Sequence, residues 1–485
     1  MRHAFPTVAA LALAVALAGC ASSRGLAPES QPRDANALEI QRSVGATSDA
    51  QFPTQAWWTA LGDPQLDALV DEAFAGTPSL AAADARVRQA AAQAGLADAA
   101  RKPTLGATAQ YVGVMLPENI AGSDLGGNYQ GVTLLGLNFK WSPDLWGGHA
   151  ATWRAALDQA RASEVEAQAA RLMLASNIAR TYIVFAQANA AHDTAEAEIA
   201  RASHLTELAQ QRVKAGLDNQ VQLRTAETNV ATARQQSQAA QQQIDASRNA
   251  LAALLGKGPD RGLSIGKPGV LQASAPTVPG VLPNELLGHR PDVVAARWRV
   301  EAAGETVHAA KADFYPTVNL TALVGLASGH LSDLFTSDAL LVNGGPALSL
   351  PIFDGGRLRN QLAKRDADYD LAVADYDQSL VGAVREVADA VQAARALDAQ
   401  LQSANQARDA AQRAYDLSTA RYKAGLGTQL DVLAAQRPLF QLDQQRDALT
   451  AQRLTATVDL QRALGGGLQI AHPIALDADA STASH

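Results

Sequence analysis

The sequence predicts a chain dominated by α-helix with a β-barrel part. Long antiparallel, coiled-coil-like helices are joined to four short strands, which close a barrel only with strands from other copies. Three observations carry that prediction. Two very long stretches lack proline and almost lack glycine, four stretches of about ten residues alternate in polarity, and the whole pattern occurs twice.

At the N-terminus, Arg2 and His3 give a short basic start, and Val8 to Gly19 is an unbroken run of apolar and small residues. That run falls short of the roughly 20 residues a bilayer-spanning helix needs, so residues 1–19 are expected to be a signal peptide. It ends in Leu17-Ala18-Gly19-Cys20, and Cys20 is the only cysteine in 485 residues. These residues resemble a bacterial lipoprotein box, which implies a lipid on Cys20 and makes 20–62 a lipid-anchored N-terminal segment. Ala21 follows, not the aspartate that tends to hold such proteins at the inner membrane. One cysteine builds neither a disulfide framework nor a cysteine metal site. A net charge of -8, with scattered basic residues, leaves no nucleic-acid footprint. No later stretch is apolar for long enough to make a membrane helix, so any crossing has to use β-strands.

Internal similarity sets the layout. Thr77-Pro78-Ser79-Leu80 matches Arg290-Pro291-Asp292-Val293, and Lys102-Pro103-Thr104-Leu105 matches Tyr315-Pro316-Thr317-Val318, both 213 residues apart. Pro143 with Gly147-Gly148 matches Pro351 with Gly355-Gly356 at 208. Arg212-Val213-Lys214-Ala215-Gly216-Leu217 matches Arg421-Tyr422-Lys423-Ala424-Gly425-Leu426, and Leu255-Gly256 matches Leu464-Gly465, both at 209. The offset changes mainly between the flanking prolines, as expected of a duplication whose first copy has a longer loop.

The first copy, 63–258, opens with a helix from Asp63-Pro64 to Ala75 and a second from Pro78 to about Lys102. A β-hairpin over about 104–141 and a long helical hairpin over about 148–256 follow. Residues 259–283 are proline-rich and read as a connector. The second copy, 284–467, repeats the order, with a hairpin at about 317–350 and long helices at about 356–465. The tail, 468–485, has a disordered composition. His149 to Ala215 contains no proline or glycine, and Gly356 to Ala424 has only Gly382 inside. At about 1.5 Å per residue each stretch makes a rod of roughly 100 Å. Val373, Leu380, Val384, Val387, Val391, Ala394 and Leu401 recur in steps of three, four and seven, so the rods pack lengthwise. Abundant alanine leaves too little bulk for one chain to fill a core, which points to a wall built between chains. Pro438 lies inside the last helix and should bend it.

In the strands, Val318, Leu320, Ala322, Val324 and Leu326 alternate with Thr317, Asn319, Thr321, Leu323 and Gly325. Leu340, Val342, Leu348 and Leu350 alternate with Asn343, Gly345, Ala347 and Ser349, and Leu135, Leu137, Phe139 and Trp141 with Leu134, Gly136, Asn138 and Lys140. Tyr111, Tyr129, Trp141, Phe314 and Tyr315 fall near the ends, where interfacial aromatics are expected. An ordinary half-buried sheet alternates in the same way; the anchor and the rods favour transmembrane strands. Four strands are too few for a barrel, and open edges cannot sit in lipid. Several chains must therefore share one.

Trp57-Trp58 with Asp63-Pro64, Arg290-Pro291-Asp292, Asp144-Leu145-Trp146-Gly147, Pro351-Ile352-Phe353-Asp354-Gly355-Gly356, the paired Ala-Gly-Leu turns and Ala463-Leu464-Gly465-Gly466-Gly467 resemble the outer-membrane efflux protein family typified by TolC, in its lipoprotein (NodT-like) branch. The resemblance spans nearly all of the mature chain. It implies a homotrimer with a twelve-stranded barrel in the outer membrane and a trimeric α-barrel tunnel reaching into the periplasm. It also implies an inner-membrane pump and a periplasmic adaptor (membrane fusion) protein as partners, outer-membrane lipid around the barrel, no cofactor beyond the lipid on Cys20, and no catalysis.

Two sites follow by position. Ala215, Gly216 and Leu217, with Ala424, Gly425 and Leu426, form tips that by resemblance meet the adaptor, although such turns are also helix caps. Asp431, expected one to two turns past the second tip, matches a pore-facing aspartate of the family. Three copies would make a carboxylate ring that favours cations. Asp218 in the first tip is a second candidate ring, and Tyr422 keeps a gate position. Ala434 and Gly427 depart from the pattern where some relatives carry a second aspartate and a latching arginine. The rival outside transport is a structural coiled-coil lipoprotein, which needs neither strands nor two copies. An enzyme has no support: HExxH, P-loop and CxxC are all missing, and the nine histidines are scattered.

Overall fold

The computed structural model describes residues 22–34, 37–38, 53–115, 117, 119, 127, 129–272 and 289–468. The expected signal peptide, Cys20, residues 273–283 of the connector and the tail beyond Leu468 lie outside the described residues. Among them, no helix is long and apolar enough to cross a membrane.

The helices are α1 (Pro64–Gly76), α2 (Pro78–Ala99), α3 (Gly148–Lys214), α4 (Gln220–Leu254), α5 (Pro259–Leu263), α6 (Pro291–Ala312), α7 (Arg357–Lys423) and α8 (Gln429–Ala463). The strands are β1 (Thr104–Met115), β2 (Tyr129–Trp141), β3 (Thr317–Ser328) and β4 (Leu340–Ser349). The long helices come in pairs of equal length: α3 and α7 have 67 residues each, α4 and α8 have 35 each. Each pair starts 209 residues apart, the offset of the sequence repeat. Val373, Leu380, Val387, Val391 and Ala394 of the heptad row are buried, while Val384 and Leu401 are partly so. The α8 helix runs on unbroken through Pro438.

The chain divides into two compact units that cut across the repeat. One comprises Met1–Pro32, Val87–Ser163 and Ala296–Tyr376, the other Arg33–Arg86, Glu164–Ala295 and Asp377–His485. Each therefore draws on both copies.

The first unit carries an antiparallel sheet in the order β1-β2-β3-β4, with β1 and β4 as its unpaired edges. Both faces are largely open to solvent: on one, Leu105, Leu137, Val342 and Leu348 are more than half exposed, and on the other Val112 is 51% exposed. Tyr111 and Tyr129 lie across the directly paired Gly113 and Gly131. A Cβ on Gly113 would sit 1.7 Å from the Tyr129 hydroxyl, and one on Gly131 would sit 2.3 Å from that of Tyr111. Each ring covers a glycine on the neighbouring strand. Tyr111 is thus inside β1 and not at its end. At the start of α3, Asp144 accepts the N–H groups of His149 and Ala150 at 3.2 and 2.7 Å; at the start of α7, Asp354 accepts those of Gly356 and Leu358 at 3.0 and 2.9 Å. The repeated Asp-and-Gly-Gly motif is therefore a helix cap. Segment 22–30 lies along α7, where Arg359 donates to the Ser22 carbonyl at 2.6 Å and Asp370 accepts the Ser30 N–H at 2.8 Å.

The second unit has a core of Trp57, Trp58, Leu66, Leu69, Ile178, Tyr182, Leu251 and Leu454, among others. Asp63 fastens it: it caps α1 through the Gln65 N–H, accepts from Tyr182 at 3.0 Å, and accepts the Gly269 N–H at 2.9 Å. That last bond ties the described part of the 259–283 connector to the core. That part forms α5 and the turn Val270–Gln272, and Ile265 and Val270 are buried in the core. Arg290, buried before α6, donates to Asp292 at 2.6 Å, Glu386 at 3.1 Å and the Ala463 carbonyl at 2.9 Å, closing the C-terminus of α8. In the first copy Thr77 holds the same place and reaches the Leu254 carbonyl at 3.4 Å, at the matching end of α4.

Candidate functional site at the helix tips

Both tips form by one local rule. Leu217 N–H bonds to the Arg212 carbonyl at 2.9 Å and Gly216 N–H to Val213 at 3.1 Å; Leu426 bonds to Arg421 at 2.9 Å and Gly425 to Tyr422 at 3.0 Å. This is the Schellman arrangement, which puts its C′ residue in the left-handed region. Gly216 and Gly425 occupy that position at φ +71° and +73°. The chain re-enters a helix after two more residues. Asn219 caps α4 in a capping box with Gln222, and Thr428 caps α8 in a capping box with Asp431.

Asp431 therefore sits in the first turn of α8, nearer the tip than expected. Its carboxylate accepts from the Thr428 N–H at 2.8 Å and hydroxyl at 2.9 Å. Those two bonds hold its pKa below the usual carboxylate range, so it carries full charge near neutral pH. Asp218 differs from its expectation. It accepts from Arg212 Nε at 3.0 Å and from the Tyr422 hydroxyl at 2.7 Å, with its side chain only 7% exposed. Arg212 also lies over the Tyr422 ring, 4.6 Å from its centroid. Asp218, expected as a second candidate ring, is within the chain the acceptor of a tie from the first tip to Tyr422 on α7. Tyr422 is fully buried with Leu205 and Val432, and burial first, then the bond to Asp218, keep its phenol protonated.

Sequence reasoning missed the role of Arg212, and it missed Val221 and Leu430, which complete an aliphatic quartet with the expected tip residues Leu217 and Leu426. Leu217, Val221, Leu426 and Leu430 are 65%, 73%, 71% and 70% exposed, clustered at the two tips. The spacing held the signal: each pair is four residues apart, and the pairs are related by the repeat offset. Farther along α3, Glu198 is buried and binds Arg201 at 2.9 Å and Gln436 of α8 at 2.6 Å. No group of three or more His, Cys, Asp or Glu side chains suited to a metal exists among the described residues.

Long paired helices ending in apolar tips, with a strand hairpin in each copy, are the features to compare with known proteins. The model of the Outer membrane efflux protein family matches residues 69–257 and 282–466, and the chain belongs to that family. It is 37% identical over 372 residues to the fusaric acid resistance protein FusA of Burkholderia cepacia, covering 74% of this chain and 69% of that one. It is 33% identical over 426 residues to the pyoverdine export outer membrane protein OpmQ of Pseudomonas aeruginosa, covering 87% and 89%. The crystal structure of the outer membrane protein VceC of Vibrio cholerae superposes with a TM-score of 0.80 at 36% identity, covering 86% of this chain and all of that one. The protein is an outer-membrane efflux channel.

Proposed function

We propose that three copies close one twelve-stranded barrel in the outer membrane. The duct then receives substrate from an inner-membrane pump through a periplasmic adaptor, and it transports without catalysing any reaction. The sheet carries this reading. Four strands with both edges unpaired and both faces apolar in places are unstable in water and forbidden in lipid, and strands from further copies remove the edges. The tips are the adaptor's docking point, supported by the exposed Leu217, Val221, Leu426 and Leu430, which offer apolar knobs to a helical partner. Ala215, Gly216, Ala424 and Gly425 shape those turns. Cys20 bears the lipid, a reading supported by the small residues before it at the end of the apolar run; Ser22, two residues on, is held by Arg359 of α7. No cofactor is required.

Asp218 with Tyr422 forms the gate tie, and Asp431 supplies the filter, since its exposed charge is multiplied by three in a closed ring. Single-channel recordings of the purified protein in planar bilayers test this, comparing wild type with Asp431→Ala and Thr428→Ala. The filter assignment expects cation preference to fall in Asp431→Ala and to persist in Thr428→Ala, which weakens the cap but keeps the carboxylate. Equal loss in both would reduce Asp431 to a cap. Folded trimers that never conduct would favour a structural lipoprotein instead.

A further inference from the structure

The face that α8 buries reads Gln429, Val432, Gln436, Leu439, Asp443 and Asp447, in steps of three and four. Four of those six seats are polar, which is unusual for a packing seam. Three of the four are partnered. Gln436 donates to Glu198 at 2.6 Å, Asp443 accepts from Arg408 at 2.9 Å, and Asp447 accepts from Thr194 at 2.8 Å. Gln429 is the exception. It is completely buried, and neither its amide nitrogen nor its oxygen has a hydrogen-bond partner among the described residues. Its repeat counterpart at the start of α4, Gln220, is exposed.

The location gives the exception meaning. Gln429 is the first residue of α8, one turn before Val432, which packs with Leu205 of α3 and with Tyr422. It therefore opposes the same contact that the Tyr422–Asp218 bond secures. A buried amide stripped of water with nothing in exchange carries a desolvation cost that an apolar group of the same shape does not. An apolar residue would close this seam more firmly.

We propose that Gln429 is a release device built into the second tip. Its unpaired amide raises the free energy of the tied arrangement, and water satisfies it when the start of α8 comes away from Leu205 and Tyr422. The residue thereby sets how readily the tip opens. This rests on the reading of the tips as the channel's gate.

Hydrogen–deuterium exchange on the full-length protein in detergent, comparing wild type with Gln429→Met and Gln429→Leu, tests it. Exchange of the backbone amides in the first turns of α8 should slow about ten-fold in both variants, equivalent to about 1.4 kcal/mol. Tyr422→Phe, which cuts the tie, should quicken exchange in the same segment and shows that the window reports separation of the tip. Unchanged or faster exchange in the Met and Leu variants would overturn the proposal, because the amide would then be satisfied by a held water. Failure of both variants to assemble would overturn it equally, since an apolar side chain should favour the packing. In planar bilayers the slowed variants should open less often, and unaltered opening frequency would also sink the idea. Slowed exchange in a protein that passes no current would remove the channel reading and leave the release device standing.

Discussion

Three acids near the long-helix hairpins occupy three different electrostatic states. Asp431 is exposed and charged, its acidity strengthened by the cap it closes. Asp218 is bound to Arg212 and Tyr422. Glu198 is buried, and desolvation first raises its pKa above 4.5, partly offset by the Arg201 and Gln436 hydrogen bonds. The sign follows from linkage. The folded chain holds the Glu198 proton more tightly than the unfolded chain, so its contribution is fully present below 4.5 and is lost as pH rises through the higher folded value. Relative to Glu198→Gln, wild type should therefore gain thermal stability as pH falls from 7 toward 5. A difference between the two that stays flat with pH, measured by calorimetry, would show that Arg201 cancels the burial. Residue types alone could not separate these acids. Glu198 and Asp431 sit on helices rich in similar residues and Asp218 in the turn between two of them, and burial and partners assign the state.

At the scale of elements, local chemistry was a sound guide. The missing prolines and the three-four periodicity foretold α3 and α7, and the Ala-Gly-Leu turns foretold the tips, because both depend on bonds within a few residues. The Arg290-Pro291-Asp292 motif was legible only as a helix start, while its guanidinium in fact serves residues far away in sequence. Arg290→Ala should take this donor from the buried Ala463 carbonyl and leave Glu386 paired with Arg462. About 1–3 kcal/mol of stability would go, visible as an early thermal transition by circular dichroism. Arg290→Lys should not restore it, because one ammonium cannot span Asp292, Glu386 and a carbonyl in a plane. Recovery by lysine would show that charge alone suffices.

For the whole molecule, the unit that makes sense physically is larger than the chain. In the proposed trimer, strands from neighbouring copies finish the sheet whose edges β1 and β4 are unpaired in one chain. Sedimentation in detergent should give a particle of three chains; two or four would contradict a barrel of twelve strands. The sequence by itself determined the repeat, the two strand hairpins, the paired rods and the tips, because helix and strand periodicity, prolines and glycine turns act over short distances. Tertiary structure alone decided that the compact units mix the two copies, that residues 259–272 belong to a core, that Asp218 is tied to Tyr422 and that Gln429 is buried without a partner. These depend on which side chains meet across hundreds of residues, and the pattern along one chain does not encode that directly.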